Sequence, residues 1–374
     1  MSVANGSMAH AFSETATNVA EGYPAFAFTP SQQAIVDRFP ELLARALATP
    51  YPALAARAQR AFFDALGQKT APVGTGRVID YYAASVAIDV LGRCLTSRPS
   101  AVGVIHPTLD ILPALIRGRG LQVVPVSERQ LLRRNPLAGL DGVGALYIAI
   151  PNNPTGTVMG PEALRHLAEA CARNGVVLAI DACFRAFDVR SQYDTYAVLE
   201  ATGVDYAVIE DTGKLWPLGG VRLSFMAFGA NSTLGIPAVS SDLLLMAPPF
   251  AAAVVEEFAL DMASGGLERI HARLANNRSI LERALEGCER GTVVSDGGRV
   301  SVALIKLAPG VSSTRLWGRL LRRDVQAVPG RPMWWARPAV GERYLRVALG
   351  REPAVVERAA TAIRAELDAS TGPT

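Results

Sequence analysis

The sequence predicts an α/β fold: a large three-layer α/β/α domain on a mostly parallel sheet, followed by a smaller C-terminal α+β domain. Three observations predict it. Between residues 102 and 229 the runs VGVIH, LQVVPV, GALYIAI, VVLAID, YAVIED and LSFMAFG are continuously apolar rather than alternating, the pattern of strands buried on both faces. Helical segments lie between them, which gives the crossovers a parallel sheet needs. After residue 240 the pattern changes to long helical stretches, AAAVVEEFALDMASGG and LERIHARLANNRSILERALEG, and then to the shorter strands SVALIKL and RYLRVAL.

In chain order, residues 1–35 are polar and rich in Ala, Ser and Thr, and they end in FTPSQQ, where Pro30 suits the first turn of a helix. They read as an arm, either disordered or folded over a site. Residues 36–250 then form the large domain and 251–374 the small one. Within the large domain PEALRHLAEACARNG, 161–175, has helical apolar spacing and Gly175 as its stop.

Composition excludes several classes of function. Lys and Arg number 37 against 34 Asp and Glu, a net charge of +3, and they are scattered, so no nucleic-acid footprint is expected. The most apolar long stretch, LLLMAPPFAAAVV, is broken by Pro248 and Pro249 and is too short to span a bilayer. The four cysteines, Cys94, Cys171, Cys183 and Cys288, show no CxxC spacing and, with four histidines, no metal-ligand pattern. A reducing cytoplasm fits, and no basic segment followed by an apolar run marks a signal peptide.

In an open α/β sheet, ligands bind at the carboxyl ends of the strands. Here GALYIAI runs into PNNPTG, VVLAI into Asp181, and YAVIE into Asp211 and Lys214. A buried ammonium at a strand end is costly unless it is bonded to something. Asp181 follows Asn153 by 28 residues, Lys214 follows Asp181 by 33, and Arg222 follows Lys214 by eight. In this order and spacing the four residues resemble the fold-type I pyridoxal phosphate enzymes, the aspartate aminotransferase superfamily.

The resemblance implies roles. Lys214 forms an imine with the cofactor aldehyde, Asp181 holds a proton on the pyridine nitrogen, Asn153 donates to the phenolic oxygen and Arg222 pairs with the phosphate. The phosphate cup falls at the start of the helix in YYAASVAIDVLGRCL, on Ala84 and Ser85, where free N–H groups favour an anion. Cys183, two residues past Asp181, lies near the pyridine ring or simply packs. In GERYLRVALGR, Arg346 matches the family's arginine for the substrate carboxylate, with Arg351 as the alternative. The family also implies a homodimer.

Departures narrow the likeness. Phe184 stands where most aminotransferases have a tyrosine, and Leu109, in HPTLD, where they stack an aromatic ring; His106 is a substitute for that stacking. Asp211 lies three residues before the lysine, in place of a serine or threonine pattern. With FFDALGQ, HPTLD, PNNPTG, DACFRAFD and above all EDTGKLWP, the chain resembles the PLP-dependent L-arginine oxidases and hydroxylases of pathways to enduracididine, azomycin and related guanidine-containing natural products. That implies an O₂-consuming oxidation of L-arginine to 2-ketoarginine or 4-hydroxy-2-ketoarginine. Asp211 then either receives the guanidinium or pairs with its own loop, and Glu14 supplies a second acid if the arm closes. Hydroxylating relatives carry a histidine where this chain has Tyr23. Trp334 and Trp335 either line the substrate cavity or pack the lobe. A plain aminotransferase or a cyclase of an arginine derivative is the rival reading, and a non-catalytic PLP-binding protein the more distant one.

Overall fold

The computed structural model describes residues 17–97, 101–294 and 298–369. It begins with a two-residue strand, β1 (Thr17–Asn18), and continues through three helices, Pro30–Asp37, Phe39–Ala48 and Tyr51–Ala65. The first of these starts where FTPSQQ places it: the Thr29 side chain accepts from the Gln32 N–H, and Gln32 reaches back to the Thr29 N–H, closing a capping box ahead of Pro30.

Seven strands follow: β2 (Val78–Tyr81), β3 (Ala101–His106), β4 (Val123–Ser127), β5 (Val143–Ala149), β6 (Val177–Asp181), β7 (Tyr206–Asp211) and β8 (Ser224–Phe228). They form one sheet in the order β2-β8-β7-β6-β5-β3-β4. The five strands β3 to β7 are parallel, whereas β8 and β2 are antiparallel to their neighbours. The reversal has a simple cause: no helix separates Asp211 from Ser224, and a parallel return needs a crossover of a dozen or more residues, usually helical. The run LSFMAFG is thus a strand, but one of opposite direction to those before it.

The helices Ala84–Leu95, Ile111–Gly118, the one-turn Glu128–Leu131, Pro161–Arg173 and Thr195–Thr202 make the other connections. The last is capped by the Asp194 carboxylate, which accepts from the Ala197 N–H at 3.1 Å, and stops at Gly203, whose φ of 66° suits the left-handed turn. Phe62, Phe63 and Phe225 meet with ring centroids 5.2–5.7 Å apart and are fully buried. Burying each such ring contributes about 1.5–3 kcal/mol. Helix Pro249–Asp261 packs on Tyr51–Ala65 and Phe39–Ala48.

The C-terminal part holds β9 (Gly291–Val293), β10 (Val302–Leu307), β11 (Val325–Gln326), β12 (Val328–Pro329) and β13 (Tyr344–Ala348). Four of them form an antiparallel sheet in the order β12-β13-β10-β9, and β11 pairs in parallel with β1. The start of the described chain is therefore bonded to its end. Among the described residues no helix is long and apolar enough to cross a membrane.

Candidate active site

Lys214 sits in the loop between β7 and β8, and the loop is pinched at its base. The Thr212 hydroxyl donates to the Leu223 carbonyl at 2.9 Å and accepts from the Leu223 N–H at 3.0 Å. This ties the two arms together, with Lys214 on one and Arg222 on the other. Gly213 has no space for a side chain: a Cβ there would lie 2.6 Å from Arg222 Cδ. The EDTGK stretch thus needs its glycine to let the arginine pass.

A cavity of about 220 Å³ opens beside the lysine, lined by Lys214, Asn153, Leu109, Tyr23 and Arg346 among the residues singled out from the sequence. Glu21, Asp110 and Phe184 also line it. The Tyr23 ring centroid is 3.9 Å from Lys214 Nζ and 4.7 Å from Arg222 Cζ, so one ring meets two cations. Two turns at strand ends near the cavity contain cis peptide bonds, His106–Pro107 in one and Ile150–Pro151 and Asn153–Pro154 in the other. The Asn152 side chain links the two, its Nδ2 donating to Pro107 O at 2.8 Å, and it also donates to Glu128 Oε1 at 2.7 Å.

Arg346 is buried. Its Nη2 donates to the Ala20 carbonyl and its Nη1 to Asn153 Oδ1 at 3.5 Å, while the Nε has no partner. Burial pulls its pKa down to about 10, with Asp110 opposing and Arg351 adding to the fall. A buried guanidinium lining a cavity, with bonding capacity left over, is a natural partner for a carboxylate. Arg351, the alternative clamp, is committed elsewhere: its guanidinium bonds to the backbone carbonyls of Asn18, Glu21 and Tyr23.

Asp181 ends β6. Desolvation is the main influence raising its pKa and Asp211 adds to it, while the Cys183 thiol and N–H and the charge of Lys214 pull it down. The two acids and the lysine therefore act on one another electrostatically. The Cys183 N–H donates to Asp181 Oδ1 at 3.0 Å, and burial drives the thiol pKa well above its usual range, as for a packed, protonated sulfur. Asp211 is buried and accepts from the Gly213 N–H at 3.1 Å, the local partner that was one of its two sequence readings; it is not among the residues lining the cavity. Ala84 and Ser85 open the helix Ala84–Leu95 behind an N-cap, Ala83, that makes no side-chain cap, so the first N–H groups are left to other partners. Glu14 lies outside the described residues.

His106 packs edge-on against Trp335, with centroids 5.4 Å apart, and Trp334 stacks on Tyr344 at 4.3 Å. His106 and Trp334 line a separate cleft with Arg129 and Arg337 rather than the cavity at Lys214. Sequence reasoning missed Glu21 and Asp110 as cavity walls. It also missed the ion pair behind the site, in which Arg185 Nε donates to Glu210 Oε1 at 2.8 Å and Arg185 Nη1 to Ser191 O and Thr195 Oγ1 at 2.9 and 2.6 Å. Both signals were in view, the arginine in DACFRAFD and the first acid of EDTGK. Among the described residues no group of three or more His, Cys, Asp and Glu side chains gathers in a way that would hold a metal.

The chain is similar to known proteins. A family model described as "Aminotransferase class I and II" matches residues 47–363. A histidinol-phosphate aminotransferase of Yersinia enterocolitica is 30% identical over 229 residues, 58% of this chain and 58% of that protein. An aromatic amino acid aminotransferase of Mycobacteroides abscessus is 27% identical over 47% of this chain and 49% of its own length. The chain thus spans about half the length of these curated relatives. Among solved structures, MppP soaked with the product 2-ketoarginine superposes with a TM-score of 0.92 at 39% identity, covering 94% of this chain and 99% of that one. Aspartate aminotransferase from Thermus thermophilus with maleate shares the fold, at a TM-score of 0.78 and 18% identity over 97% of this chain and 95% of that one. With the lysine, aspartate and asparagine set at the ends of a seven-stranded sheet of this type, the chain belongs to the aminotransferase class I and II family.

Proposed function

We propose that the protein is a pyridoxal 5′-phosphate enzyme that oxidises L-arginine, or a close guanidino amino acid, with O₂ as co-substrate, giving 2-ketoarginine or its 4-hydroxy derivative. One observation carries this reading: a single cavity sets the buried Arg346 against two acids, Glu21 and Asp110. A substrate with a carboxylate at one end and a guanidinium at the other fits such a charge layout. The likeness to MppP, a protein soaked with 2-ketoarginine as product, supports the same substrate class.

The residues present suit the cofactor. Lys214 is the amine for covalent attachment, Asp181 faces the lysine as a partner for a pyridine nitrogen, Arg222 and the uncapped helix start at Ala84 and Ser85 take the phosphate, and Asn153 faces the cavity as a donor to the ring oxygen. When bound, the cofactor supplies an electron sink for the substrate Cα. Once free, the Lys214 amine is placed to move the Cα proton, while Arg346 orients the carboxylate and Tyr23 shields the lysine from water.

The protein works as a homodimer in this reading. Leu243, Leu245 and Met246, which are 39%, 99% and 56% exposed, form an apolar strip that a second copy would cover. A plain aminotransferase is the second reading, favoured by the named curated relatives. Product mass spectrometry from L-arginine in air and under nitrogen, with an oxygen electrode, separates the two. Oxygen uptake with 2-ketoarginine formed only in air is expected; pyridoxamine phosphate accumulating without uptake would overturn the oxidase.

A further inference from the structure

Arg351 is 4% exposed and spends its guanidinium on the backbone of one segment. Its Nε donates to Asn18 O at 2.6 Å and its Nη2 to Glu21 O at 2.7 Å; its Nη1 donates to Tyr23 O and, at 3.0 Å, to Gly350 O. Burial pulls its pKa down to about 10, with Glu21 opposing, so the guanidinium has given up water for these carbonyls. The same segment is stitched at both ends. The Thr17 N–H donates to Asp324 O at 2.7 Å, the Val19 N–H to Gln326 O at 2.8 Å, the Ala348 N–H to Val19 O at 2.7 Å and the Ala25 N–H to Gly350 O at 2.8 Å.

Residues 18–23 have almost no regular structure of their own, only the end of a two-residue strand and a turn in which the Asn18 side chain accepts from the Ala20 and Glu21 N–H groups at 3.0 and 3.4 Å. Yet Glu21 and Tyr23 both form walls of the cavity, and the Tyr23 ring lies 3.9 Å from Lys214 Nζ. Arg346 bonds to the Ala20 carbonyl just before them, but the carbonyls of Glu21 and Tyr23 themselves are both held by Arg351.

We propose that Arg351 is a positioning residue: it holds the roof segment so that the Tyr23 ring stays over the lysine nitrogen and Glu21 stays in the cavity wall. The π face of the ring favours positive charge on that nitrogen, so loss of the latch removes this contact and changes the surroundings of whatever the nitrogen carries. Arg351 is thus a bracket for the roof and not a carboxylate clamp. The inference rests on Lys214 as the cofactor-bearing residue.

The test uses the cofactor-loaded full chain with Arg351→Met, Arg351→Lys, Tyr23→Ala and the double variant Arg351→Met/Tyr23→Ala. Hydrogen exchange by mass spectrometry over residues 17–27 is compared with exchange over β7, and the position of the visible band of the bound cofactor is recorded. In Arg351→Met, exchange over 17–27 should rise at least tenfold with β7 unchanged, and Arg351→Lys should fall between it and wild type. The band should shift in Arg351→Met and in Tyr23→Ala, and the double variant should match Tyr23→Ala alone. Unchanged exchange, or raised exchange with the wild-type band, would overturn the proposal. If Arg351→Met does not fold, Arg351→Lys carries the same comparison. Borohydride trapping and peptide mapping at Lys214 report separately on the reading beneath: an unmodified lysine sinks that reading, while the exchange comparison still judges the latch.

Discussion

The ring of Tyr23 and the amine of Lys214, 191 residues apart in sequence, face each other with Nζ 3.9 Å from the ring centroid. A phenol therefore stands where hydroxylating enzymes similar to this one are expected to carry an imidazole. Phenol and imidazole differ in proton affinity by several pH units, and only imidazole titrates near neutrality. Tyr23→His is predicted to raise the hydroxylated fraction of product from L-arginine several-fold, read by liquid chromatography and mass spectrometry. An unchanged ratio would show that the group over the lysine does not choose between the two products.

Arg346→Lys keeps a positive charge but loses the planar fork that lines the cavity. A hydrogen bond to a charged group contributes about 1.5–3 kcal/mol, so KM for the amino acid should rise roughly 10- to 100-fold, with kcat falling less. A collapse of kcat at unaltered KM would instead place this arginine among the groups acting on the reacting bond.

The Arg185–Glu210 pair is buried, with side chains 3% and 1% exposed. Removing one partner of such a pair strands the other, at a cost of about 3–5 kcal/mol. Arg185→Met should lower the denaturant midpoint accordingly, and Arg185→Met/Glu210→Leu should recover much of the loss. A single variant as stable as wild type would mean that Glu210 is held by other groups.

His106 is a pH-sensitive point away from Lys214. Burial, with the nearby positive charge of Arg337, holds its pKa below the ordinary value near 6.5. Below that value the unfolded chain binds a proton that the folded one resists, so this residue's contribution to stability is present above pH 6.5 and fades as the pH falls. Denaturant unfolding at pH 5 and pH 7 should show a smaller acid loss in His106→Gln than in wild type. An equal loss in both would assign the acid sensitivity to other groups.

Leu245 is 99% exposed between Leu244 and Met246. Leu245→Glu should leave the fold intact, since the side chain touches little within the chain, and should move the sedimentation of the protein toward that of a monomer. A wild-type profile would put the subunit contact elsewhere.

The strands of the sheet interior were legible because each is a continuous apolar run between turn residues; β7 occupies residues 206–211 as read from YAVIED. The ends of these strands carry Asn153, Asp181 and Lys214 because side chains at a parallel sheet's carboxyl edge converge whatever the sequence between them. The roof was not legible in the same way. β1 and β11 are two residues each, too short for any periodicity to register, and their pairing spans almost the whole chain. Glu21 reads as an ordinary exposed acid until Arg351 draws its backbone inward. The direction of β8 was hidden for a related reason: an apolar run fixes burial, while orientation depends on the connection, here one without a helix.

The pairing of Thr17 with Val325 also orders events during synthesis. The first described strand leaves the ribosome some three hundred residues before its partner exists, so the large sheet and Lys214 can form while the cavity still lacks its cover. In the proposed function, cofactor capture at the lysine can thus precede substrate selectivity, and a chain cut short before residue 351 would bear that amine with its ceiling unfastened.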